Sequence, residues 1–277
     1  MADIKLIAFD LDGTLLNSKK ELTPNTRETL EKAASMGIEI VPSTGRFWNL
    51  IPDCVRELDF INYAITLNGA EVYDVKKSKS LVNFEIPAGR ALKMARVFDD
   101  IDEIIYDCVI GSKGYMRREL HEKIPAFMVG EWQVKLVADF RKPLESEEFY
   151  DLLKNSEGVQ KIQIFTLDKN LRSDLLKALP VVFRKNLFTS SISNNIEIND
   201  MNAKKGNALK FLAEYLKIPI ESTIAFGDGL NDVSMIEAAG IGAAMKNSCK
   251  EVLDVADFVT ADCDNEGVAE GIKKFCF

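Results

Sequence analysis

The chain has 277 residues, 47% of them hydrophobic, enough for one large or two unequal domains with a sizeable core. It carries 35 Lys and Arg against 43 Asp and Glu, a net charge of −8. That balance excludes a whole-protein basic footprint for nucleic acid, so an anionic substrate must be collected by a local device, a metal or a few placed lysines.

Residues 4–11 form a short, nearly continuous apolar run, the pattern of a parallel strand buried on both faces. The run ends on two aspartates, Asp10 and Asp12, within "DLDGTLL". Thr23 and Pro24 read as an N-cap and first helical position; Leu30, Ala33 and Ala34 supply the apolar stripe, and Gly37 stops the helix. "IEIVP" (38–42) is the next strand, which completes a βαβ unit. "YAITL" (63–67) is another, with Asn68-Gly69 as a hairpin turn and "AEVYD" returning. From 84 to 197 the pattern changes. Strand candidates "DEIIYDCVI", "GYMRR", "VQKIQIFTL" and "VVFRKNLFTSS" alternate with helical stretches such as 88–99 and 169–178, which predicts an inserted α+β domain on a mostly antiparallel sheet. After 198 the alternation resumes: helix 204–216, a strand running into a Gly-bounded turn over 222–229, a helix from 232 stopped by Gly240, strand 241–245 and a terminal helix 266–275. The fold class is therefore α/β, a Rossmann-like, doubly wound, mostly parallel core (1–83 and 198–277) interrupted by an α+β insert (84–197).

Cys54, Cys108, Cys249, Cys263 and Cys276 lie too far apart for paired zinc ligands and read as reduced thiols. Asp10 and Asp12 interrupt the only apolar run near the amino terminus, so no signal peptide is expected, and no segment is long enough to span a bilayer. The expectation is a cytoplasmic protein with no membrane or nucleic-acid partner, a monomer or small homo-oligomer.

In open α/β sheets, ligands bind beyond the carboxyl ends of the strands. Four polar clusters fall there: Asp10 and Asp12; Ser43, Thr44, Gly45 and Arg46; Asn68; and Asp228, Asn231 and Asp232, with Lys205 opening the helix before the last strand. Crowded carboxylates repel unless a cation sits among them, and all-oxygen ligands suit Mg²⁺. A lysine, a hydroxyl and a helix N-terminus beside that metal suit phosphate. The combination points to metal-assisted phosphoryl transfer, with Asp10 or Asp12 as nucleophile.

"DLDGTLL" (10–16), "STGR" (43–46), "KKGNAL" (204–209) and "GDGLNDVSMI" (227–236) resemble, in order, the four signatures of the haloacid-dehalogenase-like (HAD) hydrolases. "LNGAEVY" (67–73) and "DNEGVAEGI" (264–272) further resemble the Cof-like phosphatases, which carry a large cap, of type IIB, between signatures two and three. The resemblance implies that Asp10 attacks phosphorus to form a phospho-aspartate. Asp12 would protonate the leaving alcohol and then activate water. Thr44, the Gly45 amide and Lys205 would hold the phosphoryl oxygens, and Asn231 would approach them. Mg²⁺ would be held by the Asp10 carboxylate, the Asp12 carbonyl and Asp228, with Asp232 in support and Arg46 and Asn247 at the rim. The implied substrates are small phosphorylated metabolites, sugar phosphates first.

Blander readings stand beside these. Asp10 and Asp12 could cap a turn, and Ser43 or Thr44 a helix. Lys205 is preferred to Lys204 because the family pattern places its lysine just before Gly. His121 reads as part of a solvent-facing helix, Trp48 and Trp132 as packing residues, and Asn68 equally well as a turn residue. Two rivals remain: a phosphomutase of the same superfamily, and a non-catalytic sugar-phosphate sensor on the same fold.

Overall fold

The computed structural model describes residues 3–190 and 192–277. The chain divides into two compact units, one made from its two ends, up to Asn83 and from Ala203, and one from Phe84–Asn202.

The first unit is built on five parallel strands in the order Phe258–Val259, Ile241–Ala244, Thr223–Gly227, Leu6–Phe9, Glu39–Pro42. Alternation along each strand decides which layer its side chains join. Ile7, Phe9, Ile40, Ile224 and Phe226 pack with Leu30 and Ala33 of helix Pro24–Ser35 and Val268 and Ile272 of helix Gly267–Cys276. Leu6, Ala8, Val41, Ala225 and Ala244 pack with Ala208, Leu209 and Leu212 of helix Lys205–Tyr215 and Met235 and Ile236 of helix Val233–Ala238. Both faces are therefore apolar, which is why the strands read as unbroken hydrophobic runs. Phe9 and Phe226, both fully buried, contribute about 1.5–3 kcal/mol each.

Thr23 caps the first helix as expected, its hydroxyl accepting from the Thr26 amide at 3.2 Å, with Pro24 in its first turn. From Leu6–Phe9 the chain moves one way to Glu39–Pro42, and the later strands extend the other way. The crevice where the order reverses lies between Leu6–Phe9 and Thr223–Gly227, the place such sheets bind ligands. "YAITL" is not a sixth parallel strand. Tyr63–Thr66 heads a separate antiparallel sheet with Glu71–Asp74 and Lys79–Asn83, tied to the parallel sheet by a bridge from Ser43 to Ile65.

The second unit holds a six-stranded sheet in the order Asn186–Thr189, Asn195–Asp200, Lys161–Phe165, Ile105–Ile110, Lys113–Arg117, Arg141–Leu144. All neighbours are antiparallel except the last pair. Its core gathers Met94, Ala95 and Phe98 from helix Ala88–Asp99, Phe149 and Leu153 from helix Ser146–Asn155, and Ile162, Ile164, Ile196 and Ile198 from the strands.

Three readings of this segment need correction. The unit ends at Asn202 instead of 197, because Asn195–Asp200 pairs with strands on both sides. Helix Lys169–Val182 runs through Pro180 to Val182, so the strand read from 181 begins only at Asn186. Ser191, the last residue of that candidate, lies outside the described residues. Trp132 is 63% exposed instead of packed, whereas Trp48 stacks on Tyr73 with ring centroids 5.8 Å apart. His121 ends the short helix Arg118–His121, half-buried against the Ala138 carbonyl. All five cysteines are free thiols. Among the described residues no helix is long and apolar enough to cross a membrane.

Candidate active site

Asp10 is the first residue beyond strand Leu6–Phe9, and its amide donates to the Phe226 carbonyl at 3.0 Å, which continues the strand pairing by one step. The chain then coils tightly: the Leu15 amide donates to the Asp10 carbonyl (3.2 Å) and the Leu16 amide to that of Leu11 (2.9 Å). Gly13 makes this turn at φ +94°, and a Cβ there would lie 2.5 Å from Asp228 Oδ2. A glycine is needed for both the backbone and the close approach.

Lys205 is fully buried, and its Nζ donates to Asp10 Oδ1 at 2.5 Å and to Asp232 Oδ1 at 2.6 Å. Asp232 Oδ2 accepts the amides of Asp228 (3.0 Å) and Gly229 (2.9 Å), so both its oxygens are engaged. Asp228 Oδ1 accepts the Thr14 hydroxyl at 2.7 Å. One oxygen from each of Asp10, Asp228 and Asp232 falls within 4.8 Å of the others. Three carboxylates therefore crowd together, and the one ammonium among them contacts two.

The titration behaviour follows from that crowding. Burial pushes the Asp10 carboxyl up; Lys205 opposes this, while Asp232 and Asp228 add to it. Burial likewise raises Asp228 to about 6, with Thr14 opposing and Asp232 adding. For Lys205, burial works against the charge, but Asp10 and then Asp232 overcome it and hold the ammonium protonated.

Asp12 faces a different neighbourhood. Arg46 grips its carboxylate with Nε (3.0 Å) and Nη2 (2.9 and 3.1 Å), and Lys20 Nζ adds a contact at 2.9 Å. Burial opposes its ionisation, but Arg46 and Lys20 outweigh burial and hold it below the usual carboxylate range. Two aspartates two residues apart therefore differ in charge preference in the metal-free protein, Asp10 toward the neutral acid and Asp12 toward the carboxylate.

The second signature lies one strand over. The Ser43 amide donates to the Phe9 carbonyl at 2.8 Å and the Thr44 amide to that of Ile65 at 2.9 Å; both side chains are buried. Asn231 Nδ2 donates to Asn68 Oδ1 at 3.1 Å. Asn247 donates to the Gly13 carbonyl (2.8 Å) and accepts from the Cys263 amide (3.0 Å), so its carboxamide braces the turn below Asp228. Asp10, Asp228, Asp232 and Lys205 form one cluster, whereas Arg46 is turned onto Asp12. Lys20 and Thr14 were not anticipated. Thr14 lies inside a quoted signature, but nothing in "NSKKEL" separates Lys20 from Lys19.

The cluster suits a hard divalent cation: its donors are all oxygen, Asp10 and Asp232 buried and Asp228 half-buried, with more carboxylates than ammonium groups. Asp228, with a folded value of about 6, stabilises the fold most below its ordinary unfolded range and loses that contribution as pH rises through about 6. Adding Mg²⁺ to chelator-treated protein near pH 8 is therefore expected to raise its melting temperature, and the rise should shrink near pH 5 as protons compete. An identical shift at both pH values would mean the ion binds elsewhere.

The family profile of the haloacid dehalogenase-like hydrolases matches residues 7–272, and the chain belongs to that family. It is 31% identical to Phosphatase YwpJ of Bacillus subtilis over 98% of this chain and 99% of that one. It is also 30% identical to 5-amino-6-(5-phospho-D-ribitylamino)uracil phosphatase YcsE of the same organism, over 98% of this chain and 95% of the relative. A solved haloacid dehalogenase-like hydrolase from B. subtilis superposes with a TM-score of 0.80 at 31% identity, covering 98% of this chain and all of the other.

Proposed function

We propose that this chain is a Mg²⁺-dependent phosphomonoester hydrolase acting on small phosphorylated metabolites, sugar phosphates first, through a phospho-aspartate at Asp10. The observation that carries the reading is the cluster that sets Asp10, just beyond its strand, among Asp228, Asp232 and Lys205: an all-oxygen cation site with an ammonium beside the attacking carboxylate. The names of the two B. subtilis relatives support phosphatase chemistry, and the second acts on a phosphorylated ribityl chain, a sugar-alcohol phosphate.

Asp10, the Asp12 carbonyl and Asp228 would hold Mg²⁺, which when bound supplies charge neutralisation at the phosphoryl oxygens. Lys205, Thr44, the Gly45 amide and Asn231 hold those oxygens. A carboxylate oxygen of Asp10 forms a bond to phosphorus as the ester P–O bond breaks, and Asp12 gives its proton to the departing alkoxide. Water then attacks the same phosphorus, Asp12 takes the proton, and the Asp10–phosphorus bond breaks to release phosphate. The ionised Asp12 held by Arg46 and Lys20 matches this second half. Protonating an alkoxide requires it to leave that grip.

The test is phosphate release with Mg²⁺ from an aryl phosphate and a panel of sugar phosphates; activity that survives excess chelator would contradict the metal-assisted reading. Asp12→Asn is expected to slow turnover of an alkyl phosphate by ~10²–10⁴-fold. An aryl phosphate, whose leaving group needs no proton, should instead show a burst of aryl alcohol followed by slow turnover. Near-normal turnover of the alkyl ester would show that Asp12 moves no proton.

A further inference from the structure

Leu67, Asn68 and Gly69 are three consecutive residues in the left-handed region, with φ of 54°, 62° and 91°. A leucine adopts that backbone at a cost, and it persists only where neighbouring contacts impose it, most often at functional sites. Here the contacts come from the site. The Leu67 amide donates to the Arg46 carbonyl and the Asn68 amide to the Thr44 carbonyl, both at 3.0 Å. Gly69 presses on the start of the Lys205 helix so closely that a Cβ would lie 2.4 Å from the Lys204 carbonyl carbon. The Asn68 side chain is buried; its Oδ1 accepts from Asn231 and fills the space in which a Cβ on Gly45 would sit at 2.8 Å. One turn thus touches the second, third and fourth signatures.

We infer that Asn68 is a positioning residue for phosphoryl binding: its carboxamide, turned inward beside the left-handed backbone, orients Asn231. This rests on the phosphatase reading. It also separates from the plain role of a turn residue, because a turn alone would be served as well by glycine.

Asn68→Gly keeps the left-handed backbone at no steric cost and removes only the carboxamide. The experiment is calorimetric binding of inorganic phosphate, with Mg²⁺, to the parent, Asn68→Gly, Asn231→Ala and the double variant, with aryl phosphate turnover measured alongside. Asn68→Gly is expected to weaken phosphate by roughly 3–30-fold, the scale of one hydrogen bond serving a charged ligand. Because Asn68 acts through Asn231, the double variant should be no weaker than the weaker single variant. Unchanged phosphate affinity in Asn68→Gly, or losses that multiply in the double variant, would overturn the assignment. A parent that binds phosphate yet releases none from the aryl ester would overturn the phosphatase reading, and the binding cycle would still decide the role of Asn68.

Discussion

Asp10→Asn is expected to abolish turnover, by ~10⁴-fold or more, while leaving the metal-free protein at least as stable as the parent. The first effect is the loss of the nucleophile from a reaction that runs through a covalent intermediate. The second follows from the direction in which the Asp10 carboxyl is displaced. Its folded value lies above the unfolded one, chiefly through burial, so its ionisation weighs against the fold as pH rises through that raised value. A neutral carboxamide removes that charge, and Lys205 keeps its second partner, Asp232, at 2.6 Å. Melting curves with chelator near pH 8 and initial rates with Mg²⁺ measure the two effects on the same preparations. A variant that loses activity because it unfolds would contradict the charge accounting, and one that keeps activity would remove Asp10 from the chemistry.

Lys205→Met should do the reverse to stability. Its ammonium is fully buried between two carboxylates, and removing it leaves both without their shared partner. Breaking a buried ion pair from one side typically costs about 3–5 kcal/mol. Mg²⁺ should recover part of that loss by supplying positive charge to the same cluster, but not turnover. Lys205→Arg is not a conservative repair, because a planar fork cannot occupy the place of a compact ammonium with contacts of 2.5 and 2.6 Å. Urea denaturation with and without Mg²⁺ gives the comparison; unchanged stability in chelator would mean that Lys205 does not balance Asp10 and Asp232.

The parallel core was legible because each strand is buried on both faces and each helix is marked by turn residues. Leu6–Phe9 and Thr223–Gly227 read as apolar runs for the same reason that they pack two layers. The insert was less legible where local rules conflict. The helical stretch read over 169–178 runs on through Pro180 to Val182, anchored in the core by Leu175 and Leu179. Strand Asn195–Asp200 continues past the expected boundary because its partners, not its own composition, determine its length.

The candidate site follows the same division. Asp10, Asp228, Asp232 and Lys205 were legible from spacing and signature, since a chain seldom ends buried strands on carboxylates without cause. The partner of Asp12 was not. Arg46 is 34 residues away and reaches it only after folding, and Lys20 reaches it by a loop with no periodicity. Asn247 shows the limit from the other side: its carboxamide is used on the Gly13 carbonyl and the Cys263 amide, a pairing no local pattern announces.

The central claim is that Asp10 becomes covalently phosphorylated. Rapid-quench mixing of the enzyme with a radiolabelled aryl phosphate and Mg²⁺ tests it directly, with the protein precipitated in acid, where an acyl phosphate survives. The parent should carry label on the peptide containing Asp10, Asp12→Asn should accumulate more of it as dephosphorylation slows, and Asp10→Asn should carry none. Turnover by the parent with no acid-stable label in the parent or in Asp12→Asn, or label that persists in Asp10→Asn, would contradict the account.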